Sequence, residues 1–84
     1  MKIYRRRNWK FLKWQPEEVV HGECATLIDG DLELELVITR SADSGCWWEV
    51  LCDGNAIAAG FETTRTAARH AAETAARRAL IRVV

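Results

Sequence analysis

The sequence predicts an α+β domain of three or four antiparallel strands in hairpins, with one long C-terminal alanine-rich helix packed on one face. Three observations predict it. Leu32, Leu34, Leu36 and Ile38 alternate with Glu33, Glu35, Val37 and Thr39, which is the period-two pattern of a half-buried strand. Asp29-Gly30-Asp31 and Asp53-Gly54-Asn55 are tight-turn signals standing between extended runs. Ala67, Ala68, Ala71, Ala72, Ala75, Ala76 and Ala79 recur at helical spacing and cover about half the wheel of a helix over residues 63–80.

Each element follows in order. Residues 1–15 read as a basic, aromatic N-terminal arm or an edge strand. Gln15-Pro16-Glu17-Glu18 has the composition of a short helix start, with proline at the first position and acids in the first turn. Antiparallel strands are expected within residues 19–61. Val19–Ile28 and Leu32–Ile38 form the first hairpin, closed by Asp29-Gly30-Asp31. After the turn-forming loop Ser41–Gly45, Cys46–Cys52 and Ala56–Phe61 form the second, with Gly60 marking a bulge or a close approach. Thr63 or Thr64 caps the helix, and Glu73 and Arg77 make an i,i+4 pair on its polar side. A face of methyl groups lets the helix sit close to the sheet, so the sheet must supply the bulk. Trp47 or Trp48, Leu51, Ile57, Phe61 and the Leu34/Leu36 row are the candidates.

A chain of 84 residues makes one domain, residues 1–84, and 49% hydrophobic with 29% charged residues is a globular composition. No apolar stretch follows the charged start Met1–Arg7 and no run is long enough to span a bilayer, so a cytoplasmic protein is expected. Cys24, Cys46 and Cys52 then read as free thiols in a reducing compartment.

The formal net charge of zero conceals a block arrangement. Residues 1–13 carry six cations and no carboxylate, residues 17–53 carry ten carboxylates against Arg40, and residues 62–84 carry five arginines against two glutamates. Such blocks give polarised faces that steer charged partners.

The chain is not expected to be an enzyme. His21, Cys24, Cys46 and Cys52 lack metal-site spacing, no glycine-rich phosphate loop is present, and no nucleophile–base pair can be read from the order of residues. Glu33 and Glu35 share a strand face about 7 Å apart. That spacing suits paired acid–base work, but a one-sheet domain offers no deep cleft to desolvate either group. No metal and no cofactor are expected.

Three surfaces are candidates for binding. Arg5, Arg6, Arg7 and Lys10 are interleaved with Trp9 and Trp14. This suits nucleic acid, an acidic protein groove, or an edge strand guarded by its cations. Asp29, Asp31, Glu33 and Glu35, joined by Glu23 on the neighbouring strand, make an outward acidic patch. That patch either imitates a phosphate backbone or is a solvated sheet face. Arg65, Arg69 and Arg77 on the helix are the alternative nucleic-acid-binding set.

The order from Cys46 to Leu80, strand, Asp-Gly-Asn turn, strand ending in Ala59-Gly60 and alanine-rich helix, resembles small phage and prophage proteins of the anti-CRISPR inhibitor type. That resemblance implies a non-catalytic inhibitor that blocks a host nucleoprotein complex through a charged surface. The same stretch is also similar to the end of double-stranded-RNA-binding domains, although Thr64-Arg65-Thr66-Ala67-Ala68 lacks their paired lysines. The expected partner is a protein or nucleoprotein complex. Direct nucleic-acid binding through the basic arm and the arginine face of the helix is the alternative, and a homodimer through an exposed sheet face is a third possibility.

Overall fold

The computed structural model describes residues 12–17, 21–41 and 45–83. They form five strands and a helix: β1 (Gln15–Glu17), β2 (Gly22–Asp29), β3 (Leu32–Arg40), β4 (Cys46–Cys52), β5 (Asn55–Glu62) and α1 (Arg65–Val83). The strands lie in one antiparallel sheet in sequence order, a meander in which each strand pairs with its predecessor.

The turn chemistry closes both hairpins where the sequence places them. Asp29 pairs with Leu32 across a two-residue loop whose first residue, Gly30, has φ of 65°. Cys52 pairs with Asn55 across Asp53-Gly54, with φ of 54° and 82°. Two successive positive values are the type I′ pattern, whose twist matches that of the flanking strands.

Register then decides what is buried. Ala25, Leu27, Leu34, Leu36, Ile38, Cys46, Trp48 and Val50 share the face that α1 covers. From the helix, Ala68, Ala72, Ala76 and Leu80 form a single i,i+4 row in full contact with that face. Leu34, Leu36, Ile38 and Val50 are the largest fully buried side chains, each contributing roughly 1.5–3 kcal/mol of hydrophobic stabilisation. Methyl groups on the helix and bulk on the sheet are thus the observed division of volume. Thr64 is the cap: its Oγ1 accepts from the Ala67 N–H at 3.1 Å and its carbonyl accepts from the Ala68 N–H at 3.0 Å.

Several expectations are corrected. The sheet has five strands rather than three or four, because Gln15–Glu17 is an edge strand and not a helix start. An edge position tolerates Pro16, which has no N–H to offer a ladder. The helix begins two residues later than expected, after the Thr64 cap, and continues to Val83. Leu51, Ile57 and Phe61 do not face the helix. Ile57 and Phe61 are exposed and Leu51 is half-buried, while Trp48 alone of the tryptophan pair turns inward. Ala58 and Gly60 occupy the helix side of β5 instead.

Gly60 marks a close approach rather than a bulge. A Cβ there would lie 2.7 Å from the indole of Trp48 on β4. The bulge falls earlier, where Val50 pairs with Ala58 and Leu51 with Ala56, leaving Ile57 unmatched.

Candidate functional site

The second sheet face carries no covering element among the described residues. Register sorts it into rows: Gly22, Thr39, Trp47 and Phe61; then Cys24, Val37, Glu49 and Ala59; then Thr26, Glu35, Leu51 and Ala56; and finally Ile28 beside Glu33. Gln15 and Glu17 extend the first two rows onto β1. The strand positions on this face thus bear four carboxylates, Glu17, Glu33, Glu35 and Glu49, and no lysine or arginine.

The face is itself divided. Its β1–β3 side holds Glu17, Glu33 and Glu35, with exposed Asp31 in the β2–β3 turn; Asp29, expected in the outward patch, is half-buried and pairs with Leu32 on the helix side of the sheet. Its β4–β5 side holds Trp47 and Phe61, which are directly paired and 45% and 52% exposed. Glu33 and Glu35 lie about 7 Å apart along β3. Glu35 and Glu49 are diagonal neighbours across β3 and β4 at roughly 7–8 Å. These spacings do not exceed the Debye length of about 8 Å at physiological salt, so Glu33, Glu35 and Glu49 act as one negative patch.

Cys24 registers that field. Its thiol donates to Glu17 Oε1 at 3.8 Å. The thiol is pushed above the ordinary range, first by burial, then by the Glu17 charge and the hydrogen bond to Glu17, and least by the Glu35 charge.

Glu23 does not belong to this patch. It pairs with Ile38 and Pro16 on the helix side of the sheet and is 5% exposed. Arg69 Nε and Nη2 both donate to Glu23 Oε1, at 2.9 and 2.6 Å, and Arg65 Nε lies 3.2 Å from Oε2. Charge pairing requires the opposite placement from the one that the sequence suggested, because α1 brings Arg65 and Arg69 down onto Glu23 on the covered face of β2. Of the alternative nucleic-acid-binding set, Arg65 and Arg69 therefore face an internal carboxylate. Arg77 forms the expected pair with Glu73 at 3.6 Å.

Trp14 is also turned inward. It packs against the core cluster, its Nε1 donates to Glu73 Oε2 at 2.8 Å, and the Arg69 guanidinium sits 5.9 Å from its ring centroid. Arg5, Arg6, Arg7, Trp9 and Lys10 lie outside the described residues.

Three contributors to the open face escaped sequence reasoning. Glu49 and Trp47 are on it because Trp48 and Val50 point inward. The polar Glu49 between two apolar residues was the available signal for that parity. Glu17 was hidden by the helix-like composition around Pro16.

Among the described residues no group of three His, Cys, Asp or Glu side chains is placed to hold a metal ion, and no helix is long and apolar enough to cross a membrane. The three cysteines are unbridged, with Cys24 on the open face and Cys46 and Cys52 on the helix side. No protein-family model, no curated protein and no solved structure matches this chain.

Proposed function

We propose that this chain is a non-catalytic binding protein whose open sheet face engages a cationic surface on a macromolecular partner. The observation that carries the reading is the composition of that face: four strand carboxylates without a cation, set beside an exposed Trp47–Phe61 pair. Carboxylates at about 7 Å intervals have the repeat of successive phosphates along a nucleic-acid strand, and they steer a basic surface into contact. The aromatic pair supplies rigid apolar area of the kind that dominates interface energetics. A protein surface evolved to hold nucleic acid has both complements, cations for phosphates and stacking surfaces for bases. The reading is therefore a phage-type inhibitor that occupies the nucleic-acid site of a host nucleoprotein of the CRISPR-effector kind. Direct binding of nucleic acid through the helix is less well supported, since Arg65 and Arg69 are directed to Glu23.

The test is competition. Target-DNA binding by purified CRISPR effector complexes is measured with increasing amounts of this chain, wild type or Glu33→Lys/Glu35→Lys. Inhibition by the wild type that the double variant loses supports the proposal. DNA binding unaffected by saturating wild-type chain across the effector types rejects it. A gel shift of free DNA or RNA that weakens steeply with salt would replace it with direct nucleic-acid binding.

A further inference from the structure

We propose that β5 is the interface of a homodimer, in which two copies pair their β5 strands antiparallel with Gly60 opposite Gly60 across a two-fold axis. The result is one continuous ten-stranded sheet. This goes beyond the binding reading: it shares Trp47 and Phe61 with that reading but rests on the β5 edge rather than on the carboxylates.

The first ground is that β5 is an edge strand with its outer ladder unpaired within the described chain. An exposed row of backbone donors and acceptors is a template for another strand, and monomeric proteins guard such edges with lysine, proline, shortness or a bulge. The opposite edge, β1, is guarded in this way, being three residues long and carrying Pro16. By contrast β5 runs for eight residues, Asn-Ala-Ile-Ala-Ala-Gly-Phe-Glu, with no lysine, arginine or proline, and its bulge at Ile57 leaves the Ala58–Glu62 stretch unguarded.

The second ground fixes the register. The bulge at Ile57 occupies the start of β5 and leaves Ala58–Glu62 as the regular stretch. A two-fold axis normal to the sheet sets residues equally far before and after the axial residue opposite one another, and the five regular residues all find partners only with Gly60 at the axis. Phe61 then stands opposite the small Ala59 of the other copy on the open face. The two Phe61 rings become diagonal neighbours about 7–8 Å apart, within reach of one another. Each is already paired with its own Trp47, so a four-ring apolar patch closes over the seam. That patch gives the 52% exposed Phe61 and 45% exposed Trp47 a covering.

The third ground is electrostatic. The single charge on β5, Glu62, faces Ala58 of the other copy rather than another carboxylate. Glu49 lies one strand inward and Glu33 and Glu35 two, so at a spacing of about 4.8 Å per strand the β3 strands of the two copies stand about 24 Å apart and even the β4 strands about 14 Å. Both exceed the Debye length of about 8 Å, and self-association brings no acidic patch against its own image. The normal axis also leaves both acidic patches on one side of the dimer.

The experiment is mass determination by light scattering during size exclusion, on the full chain and three variants. Far-UV circular dichroism verifies their fold. The wild type is expected at twice the mass of the 9.5 kDa chain. Phe61→Glu and Ala59→Lys each put like charges across the seam and are expected to weaken dimerisation by about tenfold or more. Ala59→Lys/Phe61→Glu combined makes reciprocal Lys–Glu pairs only in the Gly60 register, and is expected to restore the dimer. A wild type that is monomeric at about 100 μM, a concentration that saturates a micromolar complex, overturns the proposal. So does a dimer insensitive to both single substitutions, or a combined variant that stays monomeric. Glu33→Lys/Glu35→Lys is expected to leave the mass unchanged, so failure of the dimer and failure of the acidic-face reading are separately visible.

Discussion

Arg69 holds Glu23 by two hydrogen bonds to a single oxygen, at 2.9 and 2.6 Å, on the covered side of the sheet. The carboxylate is nearly buried while the Arg69 side chain stays 40% exposed, so the two partners have unequal alternatives. Arg69 can turn to water when its partner is lost, but Glu23 cannot.

That asymmetry predicts the order of mutational effects. Arg69→Ala strands a buried carboxylate and is expected to cost about 2–3 kcal/mol, the range for a lost charged hydrogen bond. Arg65→Ala, removing a side chain that is 64% exposed, is expected to cost less than about 1 kcal/mol. Urea unfolding of the two variants measures both. Equal losses would show that Arg65 and Arg69 share the burden of neutralising Glu23 evenly.

Gly60→Ala tests the contact beneath the helix. The added methyl meets the Trp48 indole at 2.7 Å, and Trp48 is 9% exposed with its Nε1 lacking a hydrogen-bond partner among the described residues. Overpacking of this kind costs roughly 1–3 kcal/mol. Denaturation followed by tryptophan fluorescence should show both the loss and an altered native emission. An unchanged midpoint would mean that Trp48 has room to move.

Reversing charge at Glu33 and Glu35 should separate folding from binding. Both side chains are exposed on an uncovered face, so Glu33→Lys/Glu35→Lys is expected to alter stability by no more than about 0.5 kcal/mol per site. The same change removes half the strand carboxylates from the patch. Thermal unfolding checks the first expectation and the DNA-competition assay the second.

Cys24 provides a pH readout of the acidic face. Its thiol pKa is raised by burial and by Glu17, with a smaller contribution from Glu35. The neutral thiol therefore persists in the folded chain to higher pH than in the unfolded one. Its contribution to stability is complete below the unfolded thiol value of about 8.5 and is lost as pH rises through the folded value. Alkylation of Cys24 followed by peptide mass spectrometry should show a midpoint above that of an unstructured thiol. Glu17→Gln should move it down. A midpoint unmoved by that substitution would leave burial, with the smaller Glu35 contribution, as the cause.

Much of the fold was legible because its signals are local. The Leu32–Ile38 alternation, the Asp-Gly turns and the alanine periodicity each depend on a few neighbouring residues, and each appears where it was read. Trp47-Trp48 was not legible in the same way. Two adjacent tryptophans point to opposite faces by necessity, and only pairing with Thr39 and Ile38 says which goes inside.

The amino-acid order by itself determined the hairpins, the methyl-faced helix and the segregation of charge along the chain, since these follow from backbone preference and side-chain period. Tertiary structure alone decided that Glu23 is an internal partner and Glu49 a surface acid, and that Phe61 stands open where Trp48 is covered. The physical reason is that a side chain's environment is set by what lies across the sheet and above it. Those neighbours are brought by strand register and helix placement from tens of residues away.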